Sequence, residues 1–477
     1  MRTENGPVVS APAFTILLSI CVSISLFFYL SLLAALLISF FAASGWMLVG
    51  TQKITSNFMR VFFMILLFCV IFSGMSLTHL AKTSDVPSTV ETEGKILMVR
   101  EWGRRNAALI KTGYGRFVAY MARRGDLQEG AAVRLRGATF DFQRAEEKGG
   151  FDEFLYWRAK GAHKKIVVLE IETLSPPSGI YRWRIFLEKR IRDVLPERTA
   201  AYMLALTVGV RDRALSDLHT RAGTVHLLAV SGFHVGIVAA FAAFFLRRGL
   251  ARIIGTSVVV WLYVLFAGAP VGGVRAALMI QICLLAGLFG KPASAFNGVS
   301  AAGVLMLLYN PWTYFDVGWR LSILAALFLT ALFSFAKENK LALLLASPLV
   351  WIVTAGQASL AFGEIPLAGL FINALAVPIF SFLFPLIFLL SLPALLCLPF
   401  AELCSGLSEY LLEAWEIFSE IFVQLIPIIL KHAPLFSWLS CLLFAAVVLR
   451  ASGYTRTRSA AVLFLSPFPL LFILRLL

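Results

Sequence analysis

Two histidines, a serine and two glycines crowd one short run, His226-Leu-Leu-Ala-Val-Ser231-Gly232-Phe-His234-Val-Gly236, inside otherwise apolar sequence. Imidazole and hydroxyl groups in such a place could bind a polar ligand, hold a metal, or act as nucleophile and base. The metal reading is minor, because the histidines stand eight apart and a helical two-ligand clamp needs i,i+4. The nucleophile reading is weak as well: Ser231 and His234 are only three apart, and the usual arrangement brings the base from a separate element. No catalytic residue, metal ligand or cofactor is assigned. Other polar groups recur in apolar surroundings: Arg275 in Val271-Gly-Gly-Val-Arg275, Asn310 before Pro311, Asp316 and Arg320 four apart, and Asn373 before Pro378. Each has a plain alternative. The histidines can be satisfied by neighbouring helices, Arg275 can pair with Asp316 or reach the headgroups, and Asp316 and Arg320 can pair along one helix. Ser231-Gly232 and Asn373 also lie where a loosened helix would free backbone groups. Polar groups in lipid are costly unless they face a cavity or a partner. Taken together, these residues predict a polar path through a helical bundle.

The elements that position them must be membrane spans. Of 477 residues, 59% are hydrophobic and 14% charged, with 42 Lys+Arg against 27 Asp+Glu and a net charge of +15. Soluble domains are about half apolar and a quarter charged. The composition therefore excludes an ordinary cytosolic enzyme, a disulfide-stapled secreted module and a disordered tail. The six cysteines sit in or beside apolar runs without C-x-x-C spacing, which reads as packing.

Residues 12–50 carry no charge and suit a hairpin of two spans, and a third span follows over 61–80. The bias of Lys53 and Arg60 places the loop between them in the cytoplasm. In the second apolar block, Arg247, Arg248 and Arg252, then Lys291, then Lys337 and Lys340, and finally Arg450, Arg456 and Arg458 mark alternate loops as cytoplasmic. Both arguments put the sequence before His226 on the outer face. The region 366–400, with Pro378, Pro385, Pro393 and Pro399, fits two spans or one span with a re-entrant half-helix. The next segment, 402–424, carries Glu402, Glu409, Glu413, Glu416 and Glu420 on an apolar helix, read as interfacial or cavity-lining on the outer side. The total is eleven to thirteen spans.

Between the blocks, residues 82–197 hold 22 Lys+Arg and 16 Asp+Glu and no run able to span a bilayer. Five short β-rich runs, 95–99, 107–111, 116–121, 131–138 and 165–172, predict a small barrel or sandwich. In the fourth, Val133 and Leu135 alternate with Arg134 and Arg136, giving one buried and one basic face. Residues 180–195 change to a helical period, with Trp183, Phe186, Leu187 and Ile191 among five basic residues. That is a basic amphipathic helix, lying along the headgroups or packed on the soluble domain.

Several runs, in order, resemble the ComEC family of competence proteins. The residues that carry the likeness are Ala205 to Ser216 with Gly209 and Arg211-Asp212-Arg213, then Arg221-Ala-Gly223-Thr224-Val-His226 leading into the His226 cluster. Val274-Arg275-Ala276, Asn310-Pro311, Asp316-Val-Gly318, and Gly369 to Pro378 with Asn373 follow. In the soluble insert, Phe151-Asp152, Tyr156-Trp157-Arg158 and Gly161 look like the end of the family's extracytoplasmic domain. The sequence departs from the family at Trp319-Arg320-Leu321-Ser322, where Gln-Leu-Ser is usual, and it lacks the H-x-H-x-D-H cluster of the C-terminal metallo-β-lactamase-like domain found in many members.

The fold expected is a polytopic α-helical membrane protein with an inserted small OB-like β-barrel. It divides into residues 1–80 (membrane block), 81–179 (extracytoplasmic β domain), 180–198 (interfacial helix) and 199–477 (channel). The resemblance implies a non-enzymatic inner-membrane channel for single-stranded DNA in natural transformation. In that reading His226, Ser231, Gly232, His234, Arg275, Asn310, Asp316, Arg320 and Asn373 line the path. Arg275 is the phosphate ligand, and Asp316 positions Arg275 or Arg320. Arg123, Arg124, Arg134 and Arg136 are the DNA-binding candidates of the soluble domain. With no G-x-x-x-x-G-K-[ST] loop, drive is expected from a cytoplasmic ATPase or helicase or from strand capture, and a DNA receptor and a separate nuclease complete the partner set beside the lipid bilayer. An exporter of a small solute or lipid, or an intramembrane hydrolase, are the alternative readings.

Overall fold

The computed structural model describes parts of residues 13–24 and residues 86–102, 105–122, 127–145, 150–246, 249–290, 294–336, 340–431 and 434–451. The expected spans over 12–50 and 61–80, the final span, and Arg123 and Arg124 fall outside the described residues, apart from a few positions in 13–24. The chain divides into two compact units, one comprising Ala13–Trp183 with Gly303–Trp319 and the other Arg184–Ala302 with Arg320–Leu477 and Met1–Pro12.

In the first unit β1 (Thr89–Trp102), β2 (Arg105–Thr112), β3 (Gly115–Ala122), β4 (Ala132–Phe140) and β5 (Lys164–Ser175) close a barrel in the order β1-β2-β3-β5-β4. The β3–β5 pair is parallel and the other four are antiparallel, an OB-like arrangement. Strand alternation fills it: Ile96, Ile110, Phe117, Val133, Leu135 and Ile166 are wholly buried. Gly94 and Gly137 let neighbouring strands approach, since a Cβ on Gly137 would meet the Val167 carbonyl at 2.4 Å. Helix α1 (Glu153–Ala159), N-capped by Asp152, lies between β4 and β5. The Phe151–Gly161 motif is therefore inside the barrel's sequence and not at the end of the domain. Trp157 of α1 is buried against Ala107, Leu109 and Val118, forming a second core outside the barrel wall.

In the other unit the helices are α2 (Ile180–Val194), α3 (Glu197–Met203), α4 (Arg213–Ala222), α5 (Gly232–Phe245), α6 (Leu250–Phe266), α7 (Val271–Leu288), α8 (Ala295–Tyr309), α9 (Val317–Ala336), α10 (Lys340–Phe362), α11 (Ala368–Leu395), α12 (Ala401–Leu425) and α13 (Pro434–Ala451), of which α2, α8 and α9 cross the unit boundary along the chain. Among the described residues five helical stretches, Val225–Phe245, Val271–Leu288, Val317–Ala336, Leu344–Phe362 and Ala368–Leu395, are long and apolar enough to cross a membrane, and three shorter apolar helices accompany them. This is a multi-pass membrane protein. Outward-facing side chains such as Phe244 (82% exposed) and Phe382 (78%) suit lipid rather than water.

One sequence expectation changes. Region 366–400 is one continuous helix, α11, of 28 residues with Pro378, Pro385 and Pro393 inside it. Each proline removes one backbone bond, but in apolar surroundings no water competes for the groups left over, so the helix can continue. The acidic helix α12 packs by one face: Leu412 and Trp415 are buried against Phe380 of α11 and Tyr202 of α3 in one core, with Phe380 and Trp415 ring centroids 5.1 Å apart. Its glutamates meet cations. Arg198 bonds Glu416 at 2.7 Å and Glu409 at 3.3 Å, and Arg221 bonds Glu420 at 2.9 Å. Glu409 also accepts the Thr199 N–H at 2.9 Å, which caps the start of α3.

Candidate functional site

Residues around the predicted path are held by a chain of non-helical turns. A π-helical turn, Leu204–Val208, ends at Gly209 in the left-handed region (φ 78°), where a Cβ would lie 2.3 Å from the Ala267 carbonyl. The carbonyls this turn exposes are taken by the Tyr263 hydroxyl, donating to Leu206, and by Arg184, donating to Val208. Helix α4 then ends at Gly223 (φ 71°), and a one-turn 3-10 segment carries His226, whose side chain is exposed.

The first cluster stands at the start of α5. Ser231 is its N-cap and forms a capping box with His234: the Ser231 N–H donates to His234 Nδ1 at 3.2 Å, and the Ser231 hydroxyl lies 3.1 Å from the same nitrogen. With Nδ1 accepting, the ring proton of the neutral imidazole sits on Nε2, which is buried and has no hydrogen-bond partner among the described residues. The ring packs edge-on against Phe384 of α11 at 4.7 Å. Arg275 of α7 approaches from the side. A Cβ on Gly232 would meet its Nη2 at 3.0 Å, so the glycine leaves the guanidinium room. Arg275 is 8% exposed, its Nε has no partner, and no carboxylate pairs with it among the described residues.

The second cluster joins α4 to α11. Asn373, 5% exposed, donates to the carbonyls of Gly223 at 3.2 Å and Gly369 at 2.7 Å, and its Oδ1 is unpartnered. Gly223 and Gly369 meet so closely that a Cβ on Gly223 would lie 2.8 Å from the Gly369 Cα. The sequence reading did not single out His219, which supports this crossing. It is wholly buried, shares a 2.9 Å hydrogen bond with the Tyr202 hydroxyl through Nε2 and a 2.8 Å bond with Thr224 through Nδ1. Burial pushes its pKa down to about 4 against the opposing Thr224 bond, so it stays neutral at physiological pH. The available signal was its spacing: Leu215, His219 and Ala222 form the buried stripe of α4.

The third cluster belongs to the barrel unit. The Asn310 side chain donates to the carbonyls of Arg158 (3.3 Å) and Ala159 (3.1 Å) at the end of α1. Asp316 accepts the Trp319 N–H at 3.0 Å and pairs with Lys160. Phe154 meets Trp312 edge-on at 5.2 Å, and the Arg158 guanidinium lies over both rings. Asn310 and Asp316 thus hold α1 against the Pro311–Phe315 turn. Arg320 reaches Gln357 of α10 at 3.4 Å.

On the barrel wall, Arg134 and Arg136 do face outward, but each lies between glutamates. Register places Glu93 and Glu172 beside Arg134, and Glu91 and Glu170 beside Arg136. Arg134 bonds Glu93 at 2.8 Å and lies 3.7 Å from Glu172. With four acids to two arginines, this face is net negative where the isolated fourth strand had read as basic.

The predicted residues therefore form three separate clusters rather than one list. The Ser231–Gly232–His234–Arg275 corner is where uncommitted buried donors meet the positive end of a helix, an arrangement suited to an anion. ComE operon protein 3 of Bacillus subtilis (strain 168) is 27% identical over 271 residues, covering 54% of this chain and 35% of that protein, so the match spans about a third of the relative's length. No solved structure matches significantly. A family profile described as competence protein matches residues 206–454, just over half the chain and inclusive of the corner and the Asn373 crossing. This chain belongs to the competence protein family.

Proposed function

We propose that this protein carries single-stranded DNA across the cytoplasmic membrane during natural transformation, acting as a channel with no chemistry of its own. The observation that carries the reading is the Arg275 guanidinium: buried in a membrane-spanning helix, without a carboxylate partner among the described residues, beside the α5 N-terminus. An unpaired buried cation is costly. A passing phosphate would supply the missing charge through a paired hydrogen bond, and the Nε2–H of His234 offers a neutral donor nearby along the same element. His226 and Asn373 continue the polar lining. Asn310 and Asp316 serve it at a distance, by holding α1 to its turn. The match to the competence protein family agrees with this role. The charge bias of the loops favours an extracytoplasmic barrel. A cytoplasmic ATPase or helicase, an outer DNA receptor and a separate nuclease would supply drive, delivery and strand removal.

The test is transformation by Arg275→Ala and Arg275→Lys variants at matched membrane levels. Alanine should abolish uptake, and lysine, a point charge without the planar fork, should restore part of it. Normal transformation by Arg275→Ala refutes the path. One observation favours a second reading, intramembrane hydrolysis: the Ser231 hydroxyl and His234 Nδ1 do come within 3.1 Å. Their geometry is that of a capping box, and among the described residues Nε2 has no hydrogen-bond partner to orient the ring. Labelling by a fluorophosphonate that is lost in Ser231→Ala would revive that reading.

A further inference from the structure

Two outer surfaces of the barrel, as far as its described residues show, are closed to a polyanion. Around β1, β4 and β5 the surface is the Glu91–Arg136–Glu170 and Glu93–Arg134–Glu172 ladder, net negative with its arginines already flanked. Across β1, β2 and β3 the wall is covered, because α1 seats Trp157 on Ala107, Leu109 and Val118. At the rim where β1 ends and β2 begins, exposed arginines and an open cluster of rings come together among the described residues. There Trp102 stands directly opposite Arg105, and Arg100 lies two residues back on the same face. Phe151 and Tyr156 lean on Trp102, with ring centroids 5.6 and 5.3 Å from it and 5.5 Å from each other. Phe151 is 59% exposed, and Arg100 and Arg105 are exposed as well. Arg100 donates to the Tyr156 hydroxyl at 3.3 Å, which keeps its guanidinium beside the rings. Nothing in the barrel's own packing requires a phenylalanine to stand open beside two arginines.

We propose that this rim, Trp102, Phe151 and Tyr156 with Arg100 and Arg105, is where single-stranded nucleic acid meets the barrel. Bases stack on the exposed Phe151 ring, which Trp102 and Tyr156 support from behind, and the two guanidinium groups take adjacent phosphates. Stacking tolerates any base, because every base has a π-face. The acidic ladder around the wall keeps the strand at the rim by repulsion. The assignment rests on the nucleic-acid reading given above, and it moves the barrel's contact away from Arg134 and Arg136.

The experiment measures anisotropy of a labelled thymidine oligonucleotide against the full chain in nanodiscs of zwitterionic lipid. Phe151→Ala should weaken binding about tenfold, the effect of losing one stacked base. Arg100→Gln with Arg105→Gln should lower the salt slope by about 1.4, at ~0.7 per phosphate contact on a single strand. Arg134→Gln with Arg136→Gln should leave affinity unchanged. Because Phe151 and the arginines are exposed, an unchanged melting temperature in each variant verifies the fold. The proposal is overturned if the rim variants bind as the parent does, or if the Arg134/Arg136 variant is the one that weakens. It also falls if the rim variants alter only retention of anionic lipid, or of an apolar peptide, and not of the oligonucleotide. Its failure is separable from that of the channel reading. Loss of uptake in Arg275→Ala with unaltered rim variants removes only the rim. Weakened oligonucleotide binding at the rim with normal uptake in Arg275→Ala removes only the path.

Discussion

Lowering the pH should loosen the helical unit through one imidazole, His219. Its ring is wholly buried and both nitrogens are engaged, by Tyr202 and by Thr224. Burial lowers its pKa from 6.5 to about 4, and the Thr224 bond only partly opposes that. The unfolded chain binds a proton near pH 6.5 while the folded chain refuses it until about 4. The unfolded state therefore holds more protons throughout that window, so stability rises with pH across it. It is complete above 6.5 and declines as the pH falls. One pKa unit corresponds to ~1.36 kcal/mol, so the whole gap is worth about 3 kcal/mol by the acid end of the window. The assay is thermal unfolding of the full chain in detergent across that range, for the parent and for His219→Gln. Glutamine does not titrate there, so the variant should lose that much less stability on acidification. At neutral pH it should sit ~1–2 kcal/mol below the parent if one hydroxyl is left unbonded. Parallel pH curves for the two proteins would refute the reasoning, since the acid response would then come from other groups.

Two further outcomes follow from close contacts. Gly369→Ala places a Cβ 2.8 Å from the Trp351 Nε1, and Gly223→Ala places one 2.8 Å from the Gly369 Cα on a backbone with φ of 71°. Each should lower thermal stability by about 1–3 kcal/mol through overpacking, with Gly223→Ala the worse because alanine also resists that φ; a neutral Gly223→Ala would show that the two chains do not cross so tightly. Lys160→Ala and Asp316→Asn, measured singly and together, should show a coupling of about 1–3 kcal/mol in a double-mutant cycle, as expected for a partly buried ion pair, and strict additivity would dissolve the pair.

Periodicity and composition made much of this architecture readable. Val133 and Leu135 are wholly buried while Arg134 and Arg136 face out, as a period of two demands. What flanks those arginines was not readable. Glu93 precedes Arg134 by 41 residues and Glu172 follows it by 38, and only barrel closure makes them neighbours. The same holds for the acidic face of α12, whose glutamates looked unsatisfied until Arg198 and Arg221 arrived from more than 190 residues away. Ser231 and His234 stand apart as a case where short spacing misled. Three residues is too near for an ordinary nucleophile and base, yet it is the spacing of a capping box, which brings them together. Proline misled in the other direction. In water three prolines would divide α11, whereas an apolar environment lets the helix run through them.

The seating of α1 on the Pro311–Phe315 turn constrains how this family's parts can be exchanged. Asn310 closes the end of α1 through its carbonyls, and Lys160 and Asp316 join across 156 residues of sequence. A barrel transplanted from another member would arrive with a foreign α1 and find a turn shaped for this one. Chimeras should work when 303–319 travels with the barrel and fail when the cut is made at the apparent end of the soluble insert. The heritable module is discontinuous, and substitutions at 160 and 316 should be tolerated in pairs sooner than singly.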